Sequence, residues 1–144
     1  MKKSQDTDDN IEASEANYLY TSPSQIPNSG LGLMTAIPIY KDEVISLFKG
    51  EILTTQQVKL RIKKGNDKYF IKLLNGTIMD SMRIKCFAKY ANDAEAFAIS
   101  GFKNNAKIAF DENNNICLIA TRNIKTNEEI FCSYGKKYWE NQMK

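Results

Sequence analysis

The sequence contains no histidine. That absence excludes Ser-His-Asp and Cys-His nucleophile sites, histidine general bases and histidine-ligated zinc within the chain. If the protein is an enzyme, its acid–base and binding work falls to tyrosine, carboxylate, lysine, cysteine or backbone groups. Cysteine is scarce too. Cys86, Cys117 and Cys132 are an odd number with no Cys-x-x-Cys spacing, which argues against a disulfide framework and a structural zinc site. They read as buried or partly buried thiols in a reducing compartment, and no metal is expected. Apolar runs fall far short of the ~20 residues that span a membrane. Met1–Asn17 lacks the apolar core of a signal peptide. The expectation is an intracellular protein with no membrane partner, the nucleus and the cytoplasm both remaining open. Arginine is limited to Arg61, Arg83 and Arg122, so the cationic surplus is lysine, a strongly hydrated surface charge. No basic run long enough for a nucleic-acid groove is present, so direct nucleic-acid binding is not expected.

What is there is one domain's worth of ordinary globular composition: 144 residues, 42% hydrophobic, 26% charged, net charge +3. The charge is unevenly spread. Residues 1–16 carry Lys2 and Lys3 against Asp6, Asp8, Asp9, Glu12 and Glu15, a net of −3, so the remainder carries +6. Such a segment buries too little apolar surface to offset its ordering entropy. Residues 1–16 are expected to be a disordered acidic tail, and 17–144 the folded domain.

The body reads as short strands broken by turns. Tyr18–Thr21 is a short apolar–aromatic piece ended by Ser22-Pro23, and Leu33–Tyr40 is strand-like, with Pro38 confined to an edge or irregular position. Glu43–Leu53 alternates and is β-rich, while Gln56–Lys64 has helical composition and is stopped by Gly65-Asn66-Asp67. Tyr69–Leu74 and Thr77–Met79 flank Asn75-Gly76, a strong hairpin signal. Lys85–Phe97 reads as a short helix or an irregular segment. Lys107–Phe110 and Ile116–Thr121 flank a turn at Asp111–Asn115, and Glu129–Ser133 is a last strand before the aromatic end YGKKYW. The fold class is mostly β, a β-rich α+β domain.

Four separated segments carry candidate chemistry: IPNSGLGL (Ile26–Leu33), VISLFKGEIL (Val44–Leu53), KYANDA (Lys89–Ala94) and NEEIFCSYG (Asn127–Gly135), with Tyr138-Trp139 behind the last. Gly30 and Gly32 permit a tight turn and close backbone approach to a ligand, or a plain turn between strands. Asn92 offers an amide that donates and accepts at once; Asn92-Asp93 also suits a cap or turn. Phe131, Tyr134, Tyr138 and Trp139 fit either a site or an aromatic core cluster.

In order and spacing these segments resemble the Gly-x-Gly turn, Tyr-x-Gly strand, Asn-His-Ser segment and Glu-Glu-Leu-x-x-x-Tyr-Gly segment of the SET domain of protein-lysine methyltransferases. The resemblance covers roughly Tyr18–Trp139. It implies a SET-like fold of short strands with a C-terminal pseudoknot, the last segment threading beneath the Asn92 loop, and S-adenosylmethionine as cofactor. By the same resemblance, Ser29, Gly30, Leu31 and Gly32 wrap the methionine part of that cofactor. Asn92 holds its amino-acid end, and Asp93 meets the adenine through the backbone. Lys89 and Tyr90 hold the carboxylate and flank the ring, and Trp139 stacks on the adenine. Tyr134 is the expected catalytic tyrosine. Phe48, Ile108 and Tyr138 shape the substrate-lysine pocket, with Asn105 a further candidate there.

The implied partner is a protein bearing a target lysine, histone or nonhistone, docked as an extended strand beside Asp67–Leu74. Methyl transfer to an amine needs alignment and a neutral amine rather than an imidazole base. Three departures stand out. Phe48 replaces a tyrosine, Asp93-Ala94 replaces His-Ser, and flanking cysteine-rich segments are absent. They motivate an alternative, a catalytically weak or inactive SET-like binding module.

Overall fold

A computed structural model describes residues 15–96 and 100–133. A helical turn at 15–18 leads into nine strands: β1 (Leu19–Pro23), β2 (Leu31–Thr35), β3 (Val44–Leu47), β4 (Glu51–Leu53), β5 (Phe70–Lys72), β6 (Ile78–Asp80), β7 (Ala106–Phe110), β8 (Ile116–Ala120) and β9 (Glu129–Ile130). One α-helix, α1 (Thr55–Lys63), follows β4, and a 3-10 turn covers Ala88–Tyr90. The strands form three antiparallel sheets, ordered β1-β2-β9, β3-β8-β7 and β4-β6-β5. The architecture is the mostly-β one expected.

The main core lies where the sheets meet. Leu33, Ile45, Phe48, Ile71, Leu118, Ile124 and Ile130 are among its buried members. β8 is central in its sheet, and its unbroken apolar run ICLIA is buried at Ile116, Cys117, Leu118 and Ala120; a short continuous apolar run is what a strand covered on both faces requires. A smaller cluster, Leu53, Val58, Phe70 and Ile78, seats α1 on the third sheet. Thr54 and Gln57 form a reciprocal capping box at the start of α1. Arg61 then clamps the helix to that sheet through Asp80 (2.7 Å) and Glu51 (3.1 Å).

Two local departures from the sequence expectation have physical causes. The β-rich run Glu43–Leu53 is two strands shared between two sheets, because the chain turns from β3 to β4 at Lys49-Gly50. The Lys49 carbonyl accepts the Ser81 hydroxyl there at 2.5 Å. The Asn75-Gly76 hairpin has a longer loop than expected, since only Gly76 takes positive φ (+87°) and Asn75 does not. A two-residue type I′ turn needs both. Gly76 N–H instead bonds Leu73 O and Leu73 N–H bonds Thr77 O, so pairing starts at Lys72 opposite Ile78.

The cysteines are free and buried. Burial, and secondarily the Asp111 carboxylate, push the Cys117 thiol up to about 11. Burial, then Asp93, raise Cys132 further. Both stay neutral thiols at physiological pH, which removes them as nucleophiles. Of the proposed acidic tail, only Glu15 and Ala16 are described, and Glu15 is buried. Its carboxylate accepts from Ser46 Oγ (2.7 Å) and Leu47 N (3.0 Å), so by Glu15 the chain is already part of the fold. Among the described residues no helix is long and apolar enough to cross a membrane.

Candidate functional site

Three distant segments converge on one cleft of about 170 Å³, lined by Ser29, Leu31, Lys68, Tyr69, Lys89, Tyr90 and Asn92. Each is delivered by a different device. Residues 24–31 make a turn entering β2, closed by Ser24 N–H to Gly30 O, with Gly30 in the left-handed region at φ +64°. Lys68 and Tyr69 precede β5. Lys89 and Tyr90 lie in the 3-10 turn, and Asn92 follows it.

The segments are locked to one another. Asn92 Nδ2 donates to Leu31 O at 3.1 Å, and Asn92 O accepts Cys132 N–H at 2.8 Å. Parallel bridges join Asn92 to Phe131 and Ala106 to Cys132. Residues 131–132 are therefore held between the Asn92 segment and the start of β7, where threading of the last segment requires them. Asn105 completes the clamp: its amide donates to Glu129 O (2.9 Å) and accepts from Phe131 N (2.8 Å), with the side chain fully buried. Asn105 thus ties this segment to the start of β7 through one donor and one acceptor of its amide.

The expected cofactor residues divide. Ser29, Leu31, Lys89, Tyr90 and Asn92 line the cleft together. Gly30 sets the turn, and among the described residues no atom beyond its chain neighbours lies within 4 Å of where its Cβ would sit. Gly32 makes its close approach elsewhere: a Cβ there would overlap the buried carboxylate of Glu129, which accepts from Ser24 Oγ and Gln25 N. Asp93 turns away toward the 95–104 loop, its Oδ1 accepting from Glu95 N and Asn104 Nδ2 at 3.0 Å each. Phe48 is 5% exposed within the main core and Ile108 packs against that core; neither lines the cleft. Tyr134, Tyr138 and Trp139 lie outside the described residues.

Sequence reasoning missed Lys68 and Tyr69 as cleft residues. The Tyr69 ring stands 6.5 Å from Tyr90, edge to face, and the ammoniums of Lys68 and Lys89 each lie 5.3 Å from its centroid. Lys89 is a buried knot. Its Nζ donates to the carbonyls of Ser81 (2.9 Å), Ile84 (3.1 Å) and Met82 (3.4 Å) and lies 5.4 Å from the Tyr90 ring.

The donor set fits the amino-acid end of S-adenosylmethionine: a cationic side chain, an asparagine amide with one N–H and its oxygen uncommitted among the described residues, the turn at 29–31, and tyrosine rings. The cleft is smaller than the ~300–1,000 Å³ of a typical small-molecule pocket, which matches one end of such a ligand. The sequence model of the SET domain matches residues 30–135, most of the chain. No curated protein matches it.

Proposed function

The chain belongs to the SET-domain family, and from that premise we propose that it is a protein-lysine N-methyltransferase using S-adenosylmethionine. What supports this reading is the meeting of Ser29-Leu31, Lys89-Tyr90 and Asn92 at one cleft, across some sixty residues of intervening chain. Ser29, Leu31 and Asn92 would hold the cofactor's amino-acid end and Tyr90 would flank its ring. When bound, the cofactor supplies an electrophilic methyl group. The protein's own residues then have two tasks, holding the acceptor amine in line and keeping it neutral. Free lysine has a pKa of ~10.4, and an apolar channel beside a positive charge lowers it. The proton leaves to water, so no histidine is needed. Tyr134 would orient the amine through its hydroxyl. Phe48, buried in the core, brings no second hydroxyl, which favours a single orienting oxygen.

The substrate is a protein lysine presented in an extended segment beside β5, which stands at the edge of its sheet. The +6 carried after residue 16 disfavours a strongly basic tail and favours a nonhistone substrate of mixed or acidic charge.

Incubation with methyl-labelled cofactor and a panel of proteins, followed by peptide mapping, tests the proposal. Label is expected on lysine Nζ, and Tyr134→Phe should lower the transfer rate about 100-fold, the scale of losing one positioned donor. Transfer at the wild-type rate in Tyr134→Phe would remove Tyr134 from its role. Cofactor binding with no transfer to any protein would instead favour the noncatalytic binding module.

A further inference from the structure

We propose that Lys68, rather than Lys89, is the cation that pairs with the carboxylate of the bound cofactor; this rests on the function proposed above. An ammonium has three N–H donors. Those of Lys89 already face three backbone carbonyls, of Ser81, Met82 and Ile84, on a side chain only 9% exposed. Turning it toward a ligand would strand those carbonyls without a donor, at a cost larger than an exposed ion pair returns. Lys68 is exposed, lines the same cleft, and has the Tyr69 ring as its partner among the described residues. Its donors are available without breaking anything.

The charge of the lining points the same way. Among the described residues, two ammoniums and no carboxylate border the cleft, so it favours an anionic group. Tyr69 links the two lysines. One ammonium lies over its ring as part of the buried knot, the other lies over it from an exposed side chain. The ring therefore holds the Lys68 ammonium beside the cleft, which lowers the entropic cost of pairing it with a ligand.

Calorimetric titration of the full chain with S-adenosylmethionine and with its decarboxylated analogue separates the possibilities. Wild type should bind the decarboxylated analogue about 5-fold more weakly, the upper range of an exposed ion pair. Lys68→Ala should lose a similar factor for S-adenosylmethionine, lose nothing for the analogue, and flatten the salt dependence of the first. Lys68→Arg should retain most of the affinity. Equal affinities of Lys68→Ala and wild type for both compounds, or equal losses for both, would overturn the assignment while leaving the proposed function standing. Failure of wild type to bind either compound would overturn the function itself and the assignment with it.

Discussion

Gly50→Ala is expected to destabilise the fold by about 3 kcal/mol or more, the upper range of overpacking a filled interior. A Cβ at this position would lie 2.5 Å from Asp80 O and 2.8 Å from both Asp80 C and Met79 Cγ. Backbone is the obstacle, and it has no room to yield. Asp80 is fully buried, pairs with Glu51 and Phe70 across both ladders of its sheet, and holds Arg61 and Met82 N–H through its carboxylate. Relief would pull β6 away from β4 or break the Arg61 clamp on α1. Gly30→Ala is the contrasting case. Its Cβ meets nothing, and its φ of +64° costs about 1–2 kcal/mol. Denaturant melts of both variants should rank Gly50→Ala well below Gly30→Ala. Equal midpoints would show that β6 tolerates displacement and that the second-motif glycine has another reason.

Lys89→Met should lower stability by about 3 kcal/mol, or roughly 10 °C in melting temperature, whether or not cofactor is present. Three carbonyls lose their donor, and the Tyr69 and Tyr90 rings lose the ammonium between them. The lost bonds are buried and charge-assisted, so solvent does not replace them cheaply. Thermal melts of the cofactor-free protein read this directly. An unchanged melting temperature with weakened cofactor binding would mean that Lys89 is a ligand after all.

Much of this fold was legible along the chain, because its signals are local. The Gly65-Asn66-Asp67 stop and the polar run before it placed α1 to within a residue or so. Asn75-Gly76 placed the hairpin, and the apolar run Ile116–Thr121 marked the buried strand β8. The cleft was legible only in part. Ser29, Leu31, Lys89, Tyr90 and Asn92 could be named from motif order, but nothing in residue type distinguishes Lys68 from the lysines around it. Lys68 and Tyr69 reach the cleft because the β5–β6 hairpin folds back beside the 3-10 turn, a tertiary event that periodicity does not report. The same holds for Glu15, an acidic residue among acidic residues, whose burial depends on the Ser46 hydroxyl and the Leu47 amide thirty residues away. Asn105 could be named from its region, but its bonds to the backbone at Glu129 and Phe131 depend on tertiary placement that residue type does not report.

The central claim is that the cleft between residues 29–31, 68–69 and 89–92 is a binding site for S-adenosylmethionine. Calorimetric titration of the cofactor into wild type and Asn92→Ala tests it most directly, with melts of both to check that the variant is folded. One equivalent should bind wild type, and Asn92→Ala should bind at least about tenfold more weakly, the effect of losing one amide partner in a confined site. No binding to wild type, or the same affinity in folded Asn92→Ala, would contradict it.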